Sequence, residues 1–251
     1  MTLQQEIEGL ARDLGADFFG VADLVPAREA ILRQGEAFLA DYPRAIALGI
    51  ELCHDIVDQL ADYRSRAIAV LYQSQAYDVI NFRLNVLASR VAGRLQQGGH
   101  HVLPIPATSR DNDDEISAIF SHKMAAHLAG LGWIGKSCLL VTPEAGPRVR
   151  WVTVLTDAPL EITGAPLDSR CGECRACMES CPVQAITGEP FRIDDPREVR
   201  LNALKCQRFF QERGNTEPGP VICGQCLYSC PYGRKRSPVG MAELYASNVI
   251  P

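Results

Sequence analysis

No stretch of this 251-residue chain is apolar for long enough to cross a bilayer as a helix, which takes about 20 residues. The segment from Met1 to Gly15 has no apolar core and no small-residue cleavage site, so it does not read as a secretory leader. Positive charge is in short supply. Lys and Arg number 25 against 30 Asp and Glu, a net charge of −5, and no global positive field draws nucleic acid to the surface, although a local basic patch is compatible with that balance. These absences predict a cytoplasmic protein that neither enters a membrane nor takes nucleic acid as its partner.

Against that background, ten cysteines stand out. Cys171, Cys174, Cys177 and Cys181-Pro182 read C-x2-C-x2-C-x3-C-P, the bacterial ferredoxin spacing, in which three close thiolates hold one cubane and the fourth reaches across to another. A second run, Cys223, Cys226 and Cys230-Pro231, repeats the last three positions but lacks its own first cysteine. Cys206, with sixteen residues between it and Cys223, is the natural substitute. The spacing therefore assigns Cys171, Cys174, Cys177 and Cys230 to one [4Fe-4S] cluster, and Cys206, Cys223, Cys226 and Cys181 to a second. Zinc sites favour isolated C-x2-C pairs, and disulfides need an oxidising compartment that nothing in the chain supplies. Proline after each crossing cysteine has no N–H and a fixed φ, which turns the chain away.

The length leaves room for a separate domain before the cysteines. Thr2-x-x-Gln5 reads as a capping box ahead of a helix with Leu3, Ile7, Leu10 and Leu14 on its stripe. Phe18 to Ala22 and Ala45 to Leu52 are runs of strand length, with a charged helical stretch around Glu29 to Leu39 between them. Ile80, Leu84, Leu87, Val91 and Leu95 make one face of a long helix stopped at Gly98-Gly99. His101 to Pro106 reads as a strand, and a further helix is expected from Ala118 to Ala129 behind Ser117 as N-cap. Cys138 to Thr142 and Val149 to Leu155 flank the turn-rich Pro143 to Pro147 and predict a hairpin. The fold class expected is α+β, with a mixed or antiparallel sheet and flanking helices. Residues 1–160 form that domain and 161–251 a ferredoxin-like two-cluster domain.

Gly130 to Ser137 satisfies both G-x-G-x-x-G and G-x-x-x-x-G-K-S. Both motifs need a strand before and a helix after. Here a helical stretch precedes and a β-rich segment follows, so no helix N-terminus awaits a phosphate, and Trp133 is bulky for a backbone cradle.

Ala129-Gly130-Leu131-Gly132-Trp133-Ile134-Gly135-Lys136, followed by a strand and the two cysteine runs, resembles the epoxyqueuosine reductase family. The early strand near Ala45, Tyr77-Asp78 at the opening of the long helix, and Ala118 to Leu128 leading into the glycines add to the likeness. The resemblance implies a cobalamin bound by an N-terminal domain related to nitroreductase-like and reductive dehalogenase folds, with electrons passing through two [4Fe-4S] clusters to cobalt. It nominates Trp133, Gly135, Lys136 and Ser137 as corrinoid-facing. Two departures accompany it. Ungapped matching puts Ile116 where that family has a proton-donating aspartate, which leaves Glu115 and His122 as candidate acids. The chain also runs only twenty-one residues past Cys230, short of the family's helical tRNA-binding region, and Arg234-Lys235-Arg236 is too brief a basic run to replace it.

The remaining residues carry less. Cys53 and Cys138 read as small buried hydrophobes, His122 and His127 are spaced too far for an i, i+4 metal pair, and the carboxylates from Asp111 to Glu115 read as a solvated loop at a helix start. The sequence points to a cobalamin-dependent iron–sulfur oxidoreductase fed by a donor such as ferredoxin or flavodoxin and acting on a small molecule. The alternatives are an electron carrier serving a corrinoid protein, and a shortened epoxyqueuosine reductase acting on tRNA.

Overall fold

The computed structural model describes residues 2–108 and 110–234; Lys235 and Arg236 of the basic run lie outside them. In chain order the elements begin with α1 (Leu3–Asp13), β1 (Phe18–Asp23), α2 (Arg28–Gln34), β2 (Arg44–Glu51), α3 (His54–Asp58), α4 (Arg66–Tyr72) and α5 (Ile80–Gln97). They continue with β3 (Val102–Ile105), α6 (His122–Leu128), β4 (Trp133–Ile134), β5 (Leu140–Val141) and β6 (Val149–Thr156). The cysteine region adds α7 (Ala176–Glu179), α8 (Ala203–Gly214), α9 (Gln225–Tyr228) and α10 (Pro231–Arg234).

The chain groups into two compact units, and neither is one continuous segment. The first comprises residues 1–50, 79–133 and 150–168; the second comprises 51–78, 134–149 and 169–251. These groupings cross the boundary near residue 160 expected from the sequence, residues 51–78 and 134–149 falling with 169–251. Cysteine-bearing loops as short as these lack an apolar core of their own, so residues 51–78 and 134–149 supply cover. Leu60 packs where a Cβ on Gly224 would meet its Cδ1 at 2.6 Å, and the ring of Tyr63 lies 6.3 Å from that of Phe209.

The first unit is built on a four-stranded sheet ordered β1-β2-β6-β3, in which β1 pairs antiparallel with β2, and β3 with β6. The mixed α+β class expected from the sequence is the class observed. The capping box forms as read, Thr2 Oγ1 accepting from Gln5 N and Thr2 N donating to Gln5 Oε1. The long-helix stripe is fully inside, with Ile80, Leu84, Leu87, Val91 and Leu95 all at 3% exposure or less. α5 packs on α1 and β3, and α6 on β1. The last contact is close because Gly20 has no side chain; a Cβ there would stand 2.9 Å from Ala129 Cβ.

Two local expectations need correction. The helix before the glycines covers only His122–Leu128 and is capped by Ser121, whose hydroxyl accepts from Met124 N, not by Ser117. Residues 111–117 instead fold back on themselves through an Asn112–Ser117 bridge, with Ile116 at φ +55°. Nor do Cys138–Thr142 and Val149–Leu155 form a hairpin: β5 pairs with β4, while β6 lies between β2 and β3. The turn-rich loop closes locally, Thr142 N donating to Gly146 O at 2.9 Å and Gly146 N to Thr142 O at 3.0 Å.

Candidate iron–sulfur site

The second unit carries the seven cysteines of the two runs and Cys206. Cys177 sits on α7 and Cys226 on α9, four-residue helices that pack against each other. Ser180 and Ser229, each three residues beyond those cysteines, join through their hydroxyls at 2.8 Å, so the sequence repeat is a structural repeat. Gly224 takes φ +66° to start α9, a conformation that suits glycine. Cys206 comes from α8, which Asn202 caps by accepting from Lys205 N at 2.8 Å.

The thiols fall into two electrostatically linked groups. Burial, then Cys171 and Cys174, push the Cys177 thiol up to about 11. Burial pushes Cys230 up to about 12, with Cys171 and Cys177 adding to it while the N–H groups of Tyr232 and Gly233 oppose it. Cys226 is likewise pushed up to about 12 by burial, followed by Cys223, Cys206 and Cys181. Cys206 is raised by burial and by Cys223 and Cys181. Within each set the thiols thus lie within electrostatic reach of one another, Cys171, Cys174, Cys177 and Cys230 in one and Cys181, Cys206, Cys223 and Cys226 in the other, although no three or more His, Cys, Asp or Glu among the described residues are spaced as a metal site. Cys177 also acts on Cys226, so the two groups are within reach of each other.

Four thiols crowded together cannot all ionise unless a positive centre shares the site. Seven of the eight are half-buried and Cys174 is exposed, and no disulfide engages any of them. The donor set, eight thiols and no imidazole or carboxylate, has the chemistry that iron–sulfur cubanes require.

Cations line both groups. Lys136 Nζ donates to Gly172 O at 2.6 Å and to Cys174 O at 3.4 Å, and its charge lowers the Cys177 thiol. Arg213, only 6% exposed, donates to Ile222 O at 2.6 Å and to both oxygens of Glu217. Its guanidinium lies 5.2 Å from the Tyr63 ring centre and 5.5 Å from that of Phe209. Burial raises the Cys223 thiol, and Arg213 and Arg64 act against that rise. Neither arginine belongs to any motif, so no sequence signal marks them.

The other nominated residues are placed as follows. Trp133 is 1% and Ser137 7% exposed, and Ser137 Oγ accepts from Leu139 N. Gly135 lies against the first thiol group, where a Cβ would stand 3.5 Å from Cys171 Sγ. Glu115 is exposed on the folded-back loop, well ahead of α6, beside a cleft of about 430 Å³ lined by Gln34, Gly35, Glu36 and Asp111 to Asp114. His122 has both ring nitrogens in use, Nδ1 with Thr153 Oγ1 and Nε2 with Pro106 O, each at 2.9 Å. Burial pushes it down to about 4. It is a neutral strut at physiological pH. His127 bonds Gly132 O. Cys53 is exposed, contrary to expectation, and Cys138 buried, with φ +61°.

Residues 170–233 match the family model described as a 4Fe-4S double cluster binding domain. An epoxyqueuosine reductase of Leadbetterella byssophila is 26% identical over 96% of this chain and 83% of its own. Further epoxyqueuosine reductases match over about half of this chain but only about a third of their own length. Among solved structures, the catabolic reductive dehalogenase NpRdhA superposes with TM-score 0.65 at 21% identity, over 96% of this chain and 34% of that one. An epoxyqueuosine reductase crystallised with an epoxyqueuosine-modified tRNA-Tyr stem loop gives TM-score 0.57 at 17% identity, over 92% of this chain and 65% of that one. The sequence relationship to epoxyqueuosine reductases and the fold expected from it both stand. The argument from net charge against a nucleic-acid partner is not borne out, since a protein of this fold is seen with tRNA. No helix among the described residues is long and apolar enough to cross a membrane.

Proposed function

We infer that this epoxyqueuosine reductase-like chain is an iron–sulfur oxidoreductase in which Cys171, Cys174, Cys177 and Cys230 hold one [4Fe-4S] cluster, and Cys181, Cys206, Cys223 and Cys226 the other. The single observation that carries the reading is the structural repeat that bears the cysteines, Cys177 on α7 and Cys226 on α9 with Ser180 and Ser229 joined three residues beyond each. When bound, the clusters supply one-electron storage at low potential. The chain's own part is to exclude water from the thiols, to hold them in two adjacent groups and to balance their charge with Lys136, Arg64 and Arg213. Anaerobic purification followed by iron and sulfide analysis tests this. About eight irons per chain is the expected result; zinc in place of iron would overturn it.

A corrinoid is the acceptor this reading adds, on the strength of the relatives' fold; one similar structure is described as suggesting a mechanism for B12-dependent dehalogenation. The residues nominated to face it do not form a ready set of contacts. Lys136 is committed to the cysteine loop and Ser137 to a local turn, so no step is assigned to them. Co-elution of added cob(II)alamin with the protein on gel filtration, with a spectral change, is the expected result; free elution would remove the corrinoid from the proposal. A one-electron donor protein of the ferredoxin or flavodoxin type completes the scheme.

The near full-length match to an epoxyqueuosine reductase favours a second reading, in which the substrate is epoxyqueuosine in tRNA. Restoration of queuosine in a reductase-deficient bacterial strain supports it, and unaltered epoxyqueuosine there excludes it.

A further inference from the structure

Arg148 is 0% exposed, and no motif or spacing explains it. Its Nη2 donates to Asp58 Oδ1 at 2.6 Å, and its Nη1 lies 3.2 Å from His54 Nδ1 and 3.4 Å from His54 O. Its backbone is tied at both ends, N to Ala145 O and O to Leu52 N. The side chain is pressed against Gly233, where a Cβ would stand 2.9 Å from Arg148 Nε. That Nε has no hydrogen-bond partner among the described residues. Burying a guanidinium is costly, and an apolar side chain of like volume often fills such a place at equal or better stability. Stability alone does not account for arginine here.

The turn it presses on is the one that carries Cys230. Gly233 N donates to Cys230 O at 3.1 Å, and the Tyr232 and Gly233 N–H groups lie near enough to the Cys230 sulfur to lower its thiol against the rise that burial causes. The turn is held at more than one point. Tyr232 Oη donates to Arg170 O at 3.0 Å, next to Cys171. Gly146 approaches so closely that a Cβ on it would collide with Gly233 N. N–H bonds to a cluster sulfur withdraw negative charge and raise the reduction potential.

We propose that Arg148 is a positioning residue for the cluster bound through Cys230: braced by Asp58 and His54, it holds the Cys230–Gly233 turn so that two N–H groups stay aimed at the ligand sulfur, and so sets that cluster's potential. The proposal rests on the two-cluster reading above. It is tested by redox titration of the anaerobic, full-length protein, followed by electron paramagnetic resonance. Arg148→Met combined with Asp58→Asn leaves no lone buried carboxylate, and Gly146→Ala wedges a methyl against the same turn. In both, iron content should match the unaltered protein while one of the two couples moves to lower potential and the other stays. Arg148→Lys keeps the cation but not the planar fork, and should move the same couple in the same direction by less. Two unmoved couples at full iron overturn the proposal. So does loss of one cluster in all three variants, which would make Arg148 a folding residue. Absence of iron from the unaltered protein would instead sink the cluster reading itself.

Discussion

Cys226 is the thiol on which burial and neighbouring sulfur act together, with Cys223, Cys206, Cys181 and Cys177 all raising it. Replacing it with serine should cost one cluster and leave the other, so iron should fall from about eight to about four per chain. Metal analysis of Cys226→Ser decides this. His122 gives a pH prediction. Its folded value of about 4 lies below the ordinary 6.5, so between those values the unfolded chain binds the extra proton and stability rises with pH. The contribution is complete above 6.5, is lost as pH falls toward about 4, and amounts to roughly 3 kcal/mol at most. Chemical denaturation from pH 7 to 4 should show a shallower loss in His122→Gln than in the unaltered protein. Burial lowers this histidine, and its bonds to Thr153 and Pro106 turn a residue that reads as a candidate acid into a structural one.

Two glycines on neighbouring elements should respond to alanine with opposite signs. Gly130 follows α6 at φ +77°, and a Cβ there would stand 2.9 Å from Ala165 O. Gly130→Ala should therefore cost at least about 1–2 kcal/mol from the left-handed backbone alone. Gly93 is inside α5 with nothing within 4 Å of a would-be Cβ, and Gly93→Ala should stabilise by about 0.5–1 kcal/mol. Thermal unfolding of the pair checks both. At this scale periodicity was a good guide where one face of a long element is buried, as in α5. It failed where local turns compete. Residues 118–121 carry helix-compatible side chains, yet Gln34 Nε2 donates to Ala118 O at 2.7 Å and the chain bends without coiling until Ser121. The hairpin expectation failed for a related reason: two strands joined by a tight loop pair with each other only if no other strand is nearer in the sheet, and β6 finds β2 and β3.

The interleaving of the two units makes a prediction for the molecule as a whole. The first unit has its own sheet and core, whereas on the two-cluster reading the second gains folding energy from what its thiols bind. Protein made without iron should keep amide protection in residues 18–23, 44–50 and 150–156 and lose it in 203–214 and 223–230, because ligand binding is folding energy for a region with so small an apolar core. Hydrogen exchange with mass spectrometry distinguishes this from uniform loosening. By itself the sequence determined the eight thiols, their two-run spacing, the amphipathic first and fifth helices and the α+β class. These rest on patterns of a few residues repeated at fixed intervals, which local stereochemistry enforces. Only the tertiary structure decided that residues 51–78 and 134–149 belong with the cysteines, that His122 is spent on two hydrogen bonds, and that Arg148 braces the Cys230 turn. Each of these depends on contacts between residues tens of positions apart, and the physical reason they were hidden is that burial and close approach in space leave no periodic mark along the chain.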